Sequence, residues 1–273
     1  MHNAPDLLPV LYQTEQMQGW SAGMRAITLA LLDHPATALG PILELGCGAG
    51  DLLAALANRH PTKPVFGADI NPLALSYASR LLMRPPTLAT ADLQRLPFAD
   101  ASFGLVLALD AIDQKGVEPV AALCESWRVL QPQGCLLLRV SAHPWLESAH
   151  DAAFNTGRRF ASAELTGMLR AVGFRPIRTT YANTLLAPAI VLMRLLQRWR
   201  VLPFHQDHYT APMINRVLAL SLQLEAHWLQ THNLEFGVSL CVLAQKSAPG
   251  PLFQQEQSHA NQCPRLHSLA DLQ

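Results

Sequence analysis

The run ILELGCGAG, from Ile42 to Gly50, sets an apolar strand, an acid and three closely spaced glycines side by side. Ile42, Leu43 and Leu45 end at Gly46, and Leu52, Leu53 and Leu56 follow with helical spacing. The glycines therefore occupy a strand-to-helix turn. Glycine there supplies positive φ and lets backbone N–H groups approach a ligand with no Cβ in the way.

The spacing selects among ligands. Asp51 stands where G-x-G-x-x-G requires its third glycine, and no Lys followed by Ser or Thr closes the loop as a Walker-type phosphate cradle requires. Glu44 and Asp51 bracket the glycines. Two carboxylates repel a pyrophosphate and suit a cofactor bearing an ammonium and a sulfonium, a description that S-adenosylmethionine fits. PVFGADINP then gives a second strand ending in Asp69, nineteen residues beyond Gly50, where a carboxylate can bridge the two hydroxyls of a ribose. TLATADLQRLPF places Asp92 at the end of a third short strand. Its side chain can accept from an adenine amino group while the N–H of Leu93 reads a ring nitrogen. A strand-terminal Asp is more often a helix cap or turn residue, but acids at successive strand ends form one joint pattern.

Over Ile42 to Ser247 the chain resembles the class I S-adenosylmethionine-dependent methyltransferases of the type 11 kind. ELGCGAG resembles their glycine loop, ADI the ribose-acid strand end, and ADLQRLPF the adenine segment. SFGLVLALDAID resembles the fourth strand with its motif, and RVLQPQGCLLLRV the helix end, turn and fifth strand. The resemblance implies cofactor contacts from Glu44, Gly46, Cys47, Gly48, Gly50, Asp69, Ile70, Asp92, Leu93, Leu109 and Asp110. Gly104 replaces an acid often found in S-F-D-L-V, and AIDQ (Ala111 to Gln114) replaces a frequent L-E-H run.

A bacterial subgroup of this family carries P-W-L-W-S-x-H-D, then R-R-Y, F-N-T-L-L and a late F-G-V-S-L. The matching residues are His150, Asp151, Arg158, Arg159, Asn183 to Leu186 and Phe236 to Leu240, with Thr156 where the subgroup often has histidine. His143, Asp151, Arg158, Arg159 and Asn183 are the candidates for the acceptor side. His150 is the candidate general base, since imidazole titrates near neutrality. The alternative for His150 is a helix-start histidine bonded to backbone.

Periodicity predicts strands at Ile42 to Leu45, Val65 to Ile70, Thr87 to Ala91, Leu105 to Leu109 and Cys135 to Val140, alternating with helices, and then strands near Phe174 to Ala182 and Gly237 to Gln245. The alternation predicts an α/β doubly wound sheet, and the resemblance implies that it is a seven-stranded Rossmann-like sheet with an antiparallel last strand and a helical insertion. Residues 1–40 are expected as an N-terminal helical cap with Trp20, Met24, Ile27 and Leu31 on one stripe, and 41–247 as the methyltransferase domain. Within that domain 183–233 is a helical substrate-side insertion, and 248–273, without an apolar period, is a disordered tail.

The 273 residues are half apolar and 15% charged, with zero formal net charge. That balance argues against a nucleic-acid acceptor, which calls for a basic surface; RPIR and MRLLQRWR are the local basic stretches. No n-region and h-region open the chain, which predicts a cytoplasmic protein. The five cysteines form no C-x-x-C pair and read as packed thiols, Cys47 beside the cofactor. His205, Asp207 and His208 lack a further spaced ligand, so no metal is expected. LLAPAIVLMRLLQRW, cut by Pro188 and Arg194, is too interrupted to span a bilayer and reads as a core or substrate-lining helix, with interfacial membrane contact as the alternative. INRVLALSLQLEAHWL reads as a lid helix packed on the domain. The expected activity is methyl transfer to a small, partly apolar molecule, at an oxygen. The alternatives are a catalytically silent cofactor-binding or partner-binding member of the fold, and a peripheral membrane enzyme acting on a lipid-linked substrate. The sequence does not set the oligomeric state.

Overall fold

The computed structural model describes residues 19–37, 40–81, 87–198 and 212–262. Its centre is β1 (Ile42–Leu45), β4 (Phe103–Leu109) and β5 (Leu130–Ser141), strands whose side chains are buried on both sheet faces. Burial on two faces is why these stretches read as continuous apolar runs rather than alternating ones. With β2 (Val65–Asp69), β3 (Thr87–Thr90), β6 (Phe174–Ala182) and β7 (Ser239–Lys246), the sheet order is β3-β2-β1-β4-β5-β7-β6. The first five strands are parallel, and β7 runs antiparallel between β5 and β6. Chain order reverses between β1 and β4, the switch point at which open α/β sheets bind ligands. The fourth and fifth strands begin earlier than their apolar periods suggest, because Leu130 pairs with Phe103 across a register shift.

Helices cover both faces. On one face, α4 (Pro119–Val129), α6 (Ser162–Val172) and α9 (Pro251–Gln262) pack on Leu43, Leu45, Val106 and Leu136. On the other, α1 (Gly19–Leu31), α2 (Asp51–Arg59) and α3 (Pro72–Leu81) contribute Met24, Ile27, Leu53, Leu56 and Leu75 to a core with Ile42, Leu105 and Leu137. The short α5 (Ala149–Ala153) follows β5, and the insertion holds α7 (Ala187–Arg198) and α8 (Pro212–Trp228). Among the described residues no helix is long and apolar enough to cross a membrane. Residues 1–18 of the expected N-terminal cap lie outside the described residues, as do His205, Asp207 and His208.

The N-terminal helix and the insertion pack as one unit. A Cβ on Gly23 would come within 2.3 Å of Leu222 Cβ, and one on Gly19 within 2.0 Å of the Asn215 carbonyl oxygen. The Gly19 N–H also donates to Asn215 Oδ1 at 2.7 Å. Small residues let α1 lie directly on α8.

The expectation of disorder from residue 248 is corrected over Pro251–Gln262, which is helical. Its polar sequence conceals two anchors. Phe253 packs against Trp127 of α4 with ring centroids 4.1 Å apart, and Leu252 joins the same cluster. The Gly250 N–H donates to the Val172 carbonyl at 2.9 Å, which fixes the helix start. Tertiary contacts of this kind leave no periodic mark in sequence.

Candidate cofactor and acceptor site

Gly46, Gly48 and Gly50 all have positive φ, at 69°, 53° and 85°. The N–H groups of Gly46 and Cys47 both donate to the Ala68 carbonyl, at 2.8 and 3.1 Å, so the loop leaves β1 leaning on β2. A Cβ at Gly50 would lie 2.8 Å from Ala78 Cβ, so only glycine lets α2 start this close to α3. Asp69 then ties the loop from the neighbouring strand end. Its Oδ2 accepts from the Gly48 N–H at 2.9 Å and its Oδ1 from the Asn71 N–H at 2.8 Å. Each oxygen retains a lone pair that can face a ribose diol. Ile70, adjoining, is 69% exposed.

Glu44 is buried on β1, in register with Gly67 and Leu107. Asp51 forms an ion pair with Arg25 of α1. The electrostatic expectation changes accordingly, since one of the two acids bracketing the glycines already has a cation. Asp92 is exposed, with its Oδ1 accepting from the Gln94 N–H at 2.9 Å, while Leu93 is buried. Asp92 is thus a turn residue, whatever it adds toward adenine. Burial, then Glu44 and Asp69, push the Cys47 thiol far above its ordinary range, so it stays protonated.

At the end of β4, Leu109 leads into Asp110, which has φ 53°. Its Oδ2 accepts from Arg139 Nε at 3.0 Å and Nη2 at 2.7 Å. Arg139 is buried, 3.4 Å from Thr28 Oγ1 and with its guanidinium 5.9 Å from the Trp20 ring. Burial works against its charge, but Asp110 outweighs burial and the guanidinium stays ionised. Asp113 is 1% exposed; its Oδ2 accepts from the Ser141 N–H at 2.8 Å, and its Oδ1 has no hydrogen-bond partner among the described residues. Burial and then Asp110 raise its carboxyl to about 6, against the opposing Ser141 N–H.

The acceptor segment divides into two groups. In the first, Asp151 Oδ2 accepts from Arg159 Nε at 2.9 Å and from the Ser148 N–H at 2.9 Å, and its Oδ1 accepts from Arg194 Nη1 at 3.2 Å. Arg159 also donates to the Ala142 carbonyl at 2.8 Å, and Arg194 to the Leu146 carbonyl at 3.0 Å. Burial pushes the Asp151 carboxyl up, but bonds from Arg159 and His150 and the charges of both arginines outweigh it, holding the group well below the usual carboxylate range. His150 Nδ1 lies 3.4 Å from Arg194 Nη2, and its ring stacks on Phe154 at 4.5 Å. Burial lowers its imidazole below the ordinary value, with Asp151 opposing. Arg158 pairs with Glu164 and lies over the Phe160 ring. Arg158 and Arg159, candidates for the acceptor side, thus pair with carboxylates of the chain itself. Of the local basic stretches, Arg178 donates to Asn233 Oδ1 at 2.7 Å and Arg194 is buried, while Arg175 is exposed.

In the second group, His143 follows β5 with φ 59°. Its ring stacks on Tyr181 at 5.2 Å and on Phe236 at 4.9 Å, with Trp145 at 5.7 Å. The buried Nε2 has no partner among the described residues. Burial lowers its pKa. Asn183, at the end of β6, donates from Nδ2 to Ser239 Oγ at 2.9 Å and lies 3.3 Å from Met24 Sδ, which fastens β6 to β7 and α1. Among the described residues no cluster of His, Cys, Asp and Glu is arranged for a metal.

A methyltransferase-domain family model matches residues 43–138, the stretch from the glycine loop through Asp69, Asp92 and Asp110 into β5. Residues 43–138 thus carry a methyltransferase domain of the class I S-adenosylmethionine-dependent kind. The demethylmenaquinone methyltransferase of Roseiflexus sp. (strain RS-1) is 30% identical over 161 residues, covering 58% of this chain and 63% of that protein. The malonyl-[acyl-carrier protein] O-methyltransferase of Legionella pneumophila is 34% identical over 98 residues, 35% of this chain and 34% of its own length. The chain thus spans less than two thirds of these curated relatives. A Haloferax volcanii methyltransferase, solved with the Trm112 methyltransferase activator, shares the fold at TM-score 0.58 and 18% identity over 90% of this chain and 98% of that one.

For a methyltransferase of this class the family implies S-adenosylmethionine as cofactor, and the residues present fit it. The cradle has left-handed glycines, an acid at the next strand end and an exposed apolar residue beside it. The sequence reading missed Arg139, Arg25 and Tyr181, and touched Trp145 and Phe236 only as parts of motifs. Arg139 left its own signal, as a cation inside the apolar strand CLLLRV.

Proposed function

We propose that the protein transfers a methyl group from S-adenosylmethionine to an oxygen of a small, partly apolar molecule. The Gly48 to Asp69 bond carries the cofactor half of this reading, because it poses the loop amides and the diol-binding acid as one unit. Glu44, Asp92, Leu93, Leu109 and Asp110 complete the cradle. When bound, the cofactor supplies an electrophilic methyl on sulfonium. The chain's own task is to hold the acceptor in line with that carbon and to exclude water.

The acceptor half rests on the wall of His143, Trp145, Tyr181 and Phe236, which offers flat apolar faces around one ring nitrogen. His143 Nε2 is buried beneath this wall, and an acceptor that displaces part of the aromatic cover would give it the hydroxyl proton as the new O–C bond forms. We therefore assign the base role to His143 in preference to His150, whose Nδ1 faces a guanidinium. Relatives named for demethylmenaquinone and for malonyl-[acyl-carrier protein] are in keeping with an oxygen-bearing acceptor. Incubating the purified chain with methyl-labelled cofactor and fractionated cell extract, followed by mass analysis, tests the reading; no labelled product from any fraction counts against it.

A second reading, a silent cofactor-binding member, is favoured by one observation. Asp151, Arg158 and Arg159 satisfy one another or Glu164, which leaves few polar groups facing an acceptor. Cofactor binding without label transfer is its signature.

A further inference from the structure

Helix α8 is apolar on two sides. Leu222 and Ala226 are buried with Met24, Ile27 and Leu31 of α1. On the other side Met213, Val217, Leu220, Leu224 and Trp228 are 78%, 54%, 52%, 66% and 52% exposed. Spacings of three and four residues align them in one strip, about 22 Å long at about 1.5 Å per residue. Single exposed apolar residues need no explanation, but a continuous line of five marks a surface that meets something other than water.

Size, charge and chemistry together select the occupant. A strip about 22 Å by 10 Å covers a few hundred Å² at most, well short of the roughly 800 Å² per partner of a stable protein interface. Shallow insertion into a bilayer boundary needs no such area. On the described residues of α7 and α8 the one acid, Glu225, is buried, while Arg216 is exposed. Arg194 is taken up by Asp151, which leaves Arg216 as the exposed cation of this face with no exposed acid on the described residues of either helix. Trp228 closes the strip, and an indole favours the boundary between acyl chains and headgroups.

We propose that α8 docks this protein on an anionic lipid surface, with Met213, Val217, Leu220 and Leu224 dipping into the acyl boundary. Helix α1 connects that face to the site. It lies on α8 through Gly19 and Gly23, sends Arg25 to Asp51 at the start of α2, and sets Trp20 over Arg139. Docking therefore places the helix that adjoins the glycine loop directly above the bilayer. The inference deepens the reading of a partly apolar acceptor, on which it rests: the acceptor is one that dissolves in lipid.

Flotation of the full chain with vesicles tests it. The protein should float with phosphatidylcholine containing phosphatidylglycerol and much less with phosphatidylcholine alone. Leu220→Gln combined with Leu224→Gln should lower the bound fraction at least about fivefold, with melting temperature and S-adenosylmethionine affinity unchanged, because both side chains are exposed. Arg216→Glu should lower binding to the anionic vesicles alone. Absence of flotation by the parent chain, or equal flotation by the double variant, overturns the proposal. So does light scattering that finds a parent dimer and a monomeric double variant, since the strip then joins two copies. Calorimetry with S-adenosylmethionine separates the failures: intact cofactor binding without flotation removes only the docking, whereas absent cofactor binding removes the methyltransferase reading.

Discussion

The Gly48 N–H donates to Asp69 Oδ2 at 2.9 Å, joining the loop after β1 to the end of β2. That bond sets the pose of the loop amide, and in the proposed reading the remaining lone pairs of Asp69 meet the cofactor. Asp69→Ala should weaken S-adenosylmethionine binding by about 1.5 to 3 kcal/mol, the range for hydrogen bonds to a charged acceptor. Asp69→Asn, which keeps an acceptor for Gly48, should lose less. Titration calorimetry checks both; a defect confined to the acceptor's KM contradicts the assignment.

Asp151 is the counter-ion of two buried guanidiniums, Arg159 and Arg194. Removing its charge strands both, so Asp151→Asn should cost about 3 to 5 kcal/mol of stability in urea unfolding. The sign in pH follows from the depressed carboxyl. Its stabilisation is complete above the unfolded carboxylate value and is lost as pH falls below it. The parent chain should weaken steeply in acid, while the Asn variant, already lacking the term, should show a shallower slope.

Asp113 has the opposite sign. Burial raises it from 3.8 to about 6, so the folded state binds a proton that the unfolded state has released. Stability from this group falls as pH rises from about 4 to about 6 and is flat above that. At about 1.4 kcal/mol per unit, the upper bound is on the order of 3 kcal/mol. Asp113→Asn, which still accepts from Ser141, should stabilise the chain above pH 6 and leave it unchanged below about pH 4. Urea titrations at several pH values would expose the error if the variant were equally stable throughout.

Legibility in the sequence followed the range of the contacts. The runs at Ile42–Leu45 and Phe174–Ala182 match the strands because burial pattern and chain period are local. The glycine turn, Asp69 and Asp92 were legible for the same reason: each sits beside its own strand end. Asp51 was read with the wrong surroundings because Arg25 comes from a helix before the sheet. The pairing of Arg159 with Asp151, eight residues away, leaves no mark in sequence, where both stand only as acceptor-side candidates. The wall around His143 needs β6 and the turn before β7 brought beside β5, a juxtaposition only the antiparallel end of the sheet creates.

The two histidines of the acceptor segment give the most discriminating test. If His143 is the base, His143→Ala should slow methyl transfer by about a hundredfold at neutral pH while cofactor affinity stays intact. Because burial lowers its pKa, the ring is neutral at pH 7 and competent to accept a proton. The parent rate should therefore be flat through neutrality and fall only as pH drops below the ordinary histidine value. The variant's rate should rise at high pH, where an acceptor hydroxyl ionises without help. His150→Ala should behave otherwise. Its ring packs on Phe154 and faces Arg194, so its loss should cost about 1 kcal/mol or more of stability with turnover per folded molecule largely preserved. Steady-state rates across pH, normalised by active-site titration, separate the two. A full-rate His143→Ala enzyme moves the chemistry to an acceptor that is already nucleophilic, with the aromatic wall serving to align it on the sulfonium methyl.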